Sequence, residues 1–110
     1  NLFGFARRFV KTFPTYSVML VDIRNHGASQ GFSAPHSLEN CAKDLKELIQ
    51  TTKISPRSII GHSYGGAVAW MFARLYGENL PSVWLLDTLA DPQIENILFA
   101  LEQCSPCHFC

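Results

Sequence analysis

Ser63 lies between glycines in the pentapeptide Gly61-His62-Ser63-Tyr64-Gly65, with Gly66 next in line. A serine hydroxyl is a weak nucleophile until a base takes its proton, and attack on a carbonyl also needs donors for the oxyanion that forms. The spacing serves both needs if the chain turns sharply at Ser63 from a strand into a helix. Small residues at positions 61 and 65 let strand and helix approach closely, which bulkier side chains would prevent. The helix N-terminus then brings backbone N–H groups and a positive dipole end beside the hydroxyl. On this reading the Tyr64 N–H is the first oxyanion donor, and Gly66 allows the helix to pack on the sheet. A plainer reading stays open, in which Ser63 only caps a helix. A phosphate-binding loop is excluded, because no Gly-x4-Gly-Lys-Ser/Thr run is present.

The surrounding sequence supplies the elements that such a turn requires. Ile59 and Ile60 form a short strand before it, and Ala67, Met71 and Leu75 align on a helix after it, with Gly77 as the stop. Upstream, Leu2, Phe5, Phe9 and Phe13 recur at helical spacing, with Arg7, Arg8 and Lys11 facing water. Asn1 could cap that helix, and Pro14 ends it. Val18-Met19-Leu20-Val21 is a continuous apolar run, as in a strand covered on both faces. A loop rich in Gly, Ser and Pro follows, and then a helix with Leu38, Cys41, Leu45, Leu48 and Ile49 on one stripe and Ser37 as its N-cap. Ser82–Asp87 reads as a third strand, and the region around Ile94 to Leu101 as a further helix. Strands alternating with helices imply a mostly parallel sheet in an α/β fold. Three strands with two open edges make a poor independent domain, so the segment is expected to be the middle of a larger sheet.

Composition narrows the partners. The chain has 110 residues, with 47% hydrophobic and 16% charged, values of a globular protein rather than a disordered one. Nine basic residues balance nine acidic ones, which leaves no electrostatic footprint for nucleic acid. No apolar run approaches the roughly 20 residues that span a bilayer, and no secretory signal is visible. Three of the four cysteines, Cys104, Cys107 and Cys110, crowd the end beside His108. A zinc site there would draw all its ligands from one short tail, whereas structural sites use separated pairs, so no metal is assigned. Cys41 reads as a buried, inert thiol.

A second motif sharpens the reading of Ser63. "DIRNHGAS" ends the strand one helix before "GHSYGG", with "DLKELI" in the helix between them. Together these resemble the α/β-hydrolase superfamily, in which a strand ending in Asp-x-Arg-Gly-His-Gly-x-Ser precedes the nucleophile elbow. Asp22, Arg24, His26, Gly27 and Ser29 match. Asn25 replaces the commoner Gly, a mild departure because Asn tolerates left-handed backbone. With "LLD" ending the next strand, the sequence looks most like the small esterase branch around α/β-hydrolase domain-containing protein eleven. The resemblance covers residues 1–92, read as a partial hydrolase core, with 93–110 as a tail unlike the family. It implies a partial α/β-hydrolase fold, incomplete at both ends; the chain begins at Asn1 rather than Met. It also implies a serine esterase acting on small acyl or lipid esters, with a small-molecule ester as substrate and no cofactor. In that family His26 sits in a structural loop, His62 shapes the elbow rather than acting as base, and Asp22 and Arg24 brace their loop.

The triad order in this superfamily is Ser, Asp/Glu, His. Asp87, ending the strand after the Ser63 helix, is the candidate acid, set against a purely structural role; Asp91 is the weaker alternative. After Asp87 the sequence has only His108, inside the cysteine tail, while His26 and His36 precede the serine. The catalytic histidine and the second oxyanion donor are therefore unassigned, and the 110-residue chain is expected to be a poor catalyst. Alternatives are a non-catalytic hydrolase-fold protein and another serine-based reaction, such as carbon–carbon bond hydrolysis, thioester cleavage or perhydrolysis.

Overall fold

The computed structural model describes residues 2–80 and 82–88, which fall into two units meeting at the Ser33–Ala34 junction. Helix α1, Leu2–Thr12, belongs to the first. Phe9 stacks on Phe5 and meets Phe13 at a tilt and Tyr16 edge-on, with ring centroids 6.1, 5.1 and 5.9 Å apart, so the aromatic stripe folds on itself one turn at a time. Arg7, Arg8 and Lys11 are exposed as their positions dictate. The side chain that α1 buries is that of Ala6, while Leu2, Phe5 and Phe13 stay exposed. The helix ends one residue before Phe13-Pro14, where proline has no N–H to continue the ladder. Capping by Asn1 concerns a residue outside those described.

Val18–Val21 departs from expectation. The run forms no strand, and its side chains are 42–46% exposed. A strand exists through its ladder, and an apolar run becomes a buried one only when neighbours pair with its backbone and cover both faces. Among the described residues the sheet has two strands, not three. After the run comes a tight loop. Asn25 and Gly27 take left-handed backbone, with φ of 59° and 48°. The Asn25 side chain fastens Phe32 twice, accepting from its N–H at 3.1 Å and donating to its carbonyl at 3.2 Å. The Asp22 carboxylate accepts from the Ala28 N–H at 3.0 Å, and a side chain at position 27 would collide with that carboxylate. Asp22 thus braces the loop through a hydrogen bond, and Asn25 supplies the left-handed residue that the motif needs.

The second unit is a β-α-β arrangement with one more helix. Helix α2, Leu38–Thr52, starts at Ser37, which has extended backbone and accepts from the Asn40 N–H at 3.2 Å. It is closed by left-handed Lys53. Strand β1, Ser58–His62, leads through Ser63 into α3, Tyr64–Tyr76. A short 3₁₀ turn, Gly77–Asn79, ends that helix. Gly77 marks the stop as read, but its φ of −80° carries the chain into the 3₁₀ turn rather than a left-handed cap. Strand β2, Ser82–Leu86, pairs parallel with β1, in a register that sets Ser58 beside Ser82 and His62 beside Leu86. Helix α3 packs against α2 and both strands. Leu38, Cys41 and Ala42 of α2 and Ala67, Val68, Ala69, Met71 and Phe72 of α3 form the core. Small side chains dominate it, so the backbones approach closely and Met71 fills the remaining space, 1% exposed. Leu75, read as part of the α3 stripe, is exposed instead. The further helix read around Ile94 and the cysteine tail lie outside the described residues. No helix among those described is long and apolar enough to cross a membrane.

Candidate active site

The register of two parallel strands fixes what can meet at their C-terminal ends. Because His62 pairs with Leu86, the next residue on each strand, Ser63 and Asp87, leaves the sheet at the same edge. Ligand and catalytic sites of parallel α/β sheets lie beyond this end of the strands.

Ser63 has φ 51° and ψ −120°, backbone that a residue with a Cβ keeps only when its surroundings over-determine it. Several contacts do so. Its N–H donates to the Leu86 carbonyl at 3.0 Å, and its carbonyl accepts from the N–H groups of Gly66 at 2.9 Å and Ala67 at 3.3 Å. The Thr88 hydroxyl donates to the same carbonyl. Gly61 is needed for the close approach: a Cβ there would lie 2.6 Å from the Gly66 Cα, and nearer to the Gly65 carbonyl group. At Gly66 a Cβ would run into the Thr88 side chain, 2.7 Å from its Cβ. Gly66 therefore clears room for the segment after β2.

Two serines stand at helix N-caps, and they differ. Ser37 has the extended backbone of an ordinary cap and its hydroxyl holds the Asn40 N–H. Ser63 is exposed, has the inverted dihedral pair and makes no capping bond with its side chain. Ser63 thus stands at the N-cap position without the side-chain bond that Ser37 makes. Its hydroxyl is held at the start of α3, where N–H groups and the positive dipole end gather. Tyr64, the candidate oxyanion residue, opens that helix, and its phenol lies 3.7 Å from the Cys41 sulfur. Cys41 is buried, as read from the sequence.

His62 and Asp87 also come together, with Nε2 and Oδ2 3.9 Å apart. Both side chains are exposed, so water screens the pair and its worth is orientation rather than stability. Asp87 too has left-handed backbone, φ 51°. Asp91 and His108 lie outside the described residues. So does the cysteine cluster; among the described residues no group of three or more His, Cys, Asp or Glu could hold a metal ion. Thr88 escaped the sequence reading. The only signal for it there is a hydroxyl residue directly after the candidate acid, on a strand parallel to the one that ends at Ser63.

A parallel strand pair backed by helices, with a strained serine turn leading from the first strand into a helix, fits one known architecture. The chain belongs to the alpha/beta hydrolase fold family, which it matches over residues 3–103. It is 32% identical over 84 residues to human serine hydrolase-like protein, taking in 71% of this chain and 41% of that one. A probable alcohol acetyltransferase of Wickerhamomyces anomalus is 32% identical over 82 residues, which cover 74% of this chain and 24% of the relative. Bifunctional epoxide hydrolase 2 of Sus scrofa is 32% identical over 87 residues, covering 74% and 15%. The chain thus spans less than half the length of these relatives. No solved structure matches it significantly.

Proposed function

We propose that Ser63 is the nucleophile of a serine hydrolase that cleaves carboxylic esters. The observation that carries this reading is the contrast with Ser37: a serine at a helix N-cap in a costly backbone conformation, with its hydroxyl spent on no cap. The Ser63 Oγ attacks the ester carbonyl and gives up its proton to a base. The tetrahedral oxyanion is met by the Tyr64 N–H at the start of α3. Collapse expels the alcohol, which takes a proton, and leaves an acyl-serine that water cleaves to acid and free enzyme. Asp87 is the acid in this scheme, at the sheet edge it shares with Ser63. His62 shapes the turn, as the last residue of β1 and the neighbour of Asp87. Small acyl or lipid esters are the substrate class.

An acyl-serine here would also permit acyl transfer to an alcohol, the reaction that one relative's name gives. Passing the acyl group to an alcohol instead of water changes the acceptor, not the nucleophile. Epoxide opening through a covalent ester needs a carboxylate nucleophile, and position 63 carries a serine, which argues against that chemistry here.

The test is labelling by an activated fluorophosphonate, which reports a reactive serine without needing the substrate. The folded chain is expected to take up the probe, and Ser63→Ala to lose it. Labelling that persists in Ser63→Ala would refute the reading, and a folded, unlabelled wild type would favour a hydrolase-fold protein kept for binding.

A further inference from the structure

We propose that Thr88 is a positioning residue for Ser63, an inference that rests on the reading of Ser63 as nucleophile. Its hydroxyl donates to the Ser63 carbonyl, while the Ser63 N–H donates to the Leu86 carbonyl at 3.0 Å. The peptide units on either side of the Ser63 Cα are therefore both tied to residues 86–88. Rotation about φ or ψ of Ser63 would pull one of these bonds apart, so the pair fixes both dihedral angles, and with them the direction in which the Cβ and hydroxyl leave the backbone.

The Gly66 N–H at 2.9 Å and the Ala67 N–H at 3.3 Å also reach the Ser63 carbonyl, but they belong to the helix that Ser63 begins and move with it. Thr88 supplies the bond from outside that helix. Its side chain is seated against Gly66, where an added Cβ would fall 2.7 Å from its Cβ and 2.9 Å from its Cγ2. The glycine is thus part of the same device, because any side chain at 66 would push the hydroxyl off the carbonyl.

Thr88→Val keeps the shape and removes the hydroxyl, and Thr88→Ser keeps the hydroxyl. Near-attack geometry is steep in its effect on rate, so the maximal fluorophosphonate inactivation rate should fall roughly tenfold in Thr88→Val with probe affinity unchanged. Thr88→Ser should stay within about twofold of wild type. A general loss of fold would lower the labelled fraction and the helical signal together, which circular dichroism detects.

Amide hydrogen exchange at Ser63 gives a readout that does not depend on labelling. It should quicken in Thr88→Val and not in Thr88→Ser. Equal inactivation rates and equal exchange in wild type and Thr88→Val overturn the inference while leaving Ser63 as nucleophile. If the wild type is folded and unlabelled, the exchange comparison alone decides whether Thr88 fastens the turn.

Discussion

Replacing Gly61 by alanine would put a methyl group into the backbone of the turn that begins α3. The new carbon would lie 2.5 Å from the Gly65 carbonyl carbon and 2.6 Å from the Gly66 Cα. These are backbone atoms, so no rotamer change relieves the collision. Ordinary contact starts at 3.4 Å, and the Gly66 Cα alone must then retreat by 3.4 − 2.6 = 0.8 Å. Such a shift separates the start of α3 from the strands and stretches the 3.0 Å bond between the Ser63 N–H and the Leu86 carbonyl. Overpacking costs about 1–3 kcal/mol and a lost hydrogen bond about 1 kcal/mol, giving about 3 kcal/mol for the pair. For a chain of this size that corresponds to a fall in Tm of about 12 °C or more.

Thermal unfolding followed by circular dichroism measures it, with Gly4→Ala as the control. Gly4 lies within α1 and a Cβ there meets nothing within 4 Å, so alanine should favour that helix by about 1 kcal/mol. If Gly61→Ala melted within about two degrees of wild type, the close approach of β1 and α3 would not constrain position 61, and the account of the turn would be wrong.

Two further outcomes follow from positive φ. Ser63→Gly should raise stability by about 1 kcal/mol, because glycine adopts φ 51° without Cβ strain, and should abolish fluorophosphonate labelling; a lower Tm would contradict the strain at Ser63. Asn25→Ala should open its loop by about 2 kcal/mol, since it loses two bonds to Phe32 and leaves a Cβ residue other than Asn at φ 59°. Hydrogen exchange of the Phe32 amide reads this directly, and Asn25→Gly should show a smaller effect.

What the sequence disclosed depended on how local the cause is. Helices α1, α2 and α3 announce themselves through apolar spacing, and Ser37 through its place before Leu38, because the capping bond spans three residues. Val18–Val21 is as apolar as any strand, yet a strand exists only through its ladder, and the run forms none within its own unit. The stop at Gly77 was legible in position but not in conformation, since φ −80° suits any residue. At Ser63 the residue type fits both a cap and a nucleophile, and its inverted dihedral angles and lack of a capping bond were not legible in the sequence. Thr88 was out of reach, because its bond to the Ser63 carbonyl spans 25 positions in sequence. Asp87 was legible as a sheet-edge carboxylate, whereas its contact with His62 follows from a register that sequence alone does not fix.

The contacts that hold Ser63 do not depend on what its side chain attacks. Gly61, Gly66, Leu86 and Thr88 act on the backbone of residue 63 and on nothing beyond its Cβ. They would aim any short nucleophilic side chain from that position with equal effect. What the side chain attacks then depends on its own chemistry: a hydroxyl that becomes an alkoxide suits a carbonyl and yields an acyl intermediate, whereas a carboxylate suits a strained ether carbon and yields an alkyl ester. On the proposed reading, serine at 63 would restrict this chain to the acyl branch while the scaffold around it stays neutral. Choice of acceptor, water or alcohol, would then rest with residues outside the turn, so substitutions that change the product should leave the Tm effects of Gly61→Ala and Ser63→Gly intact.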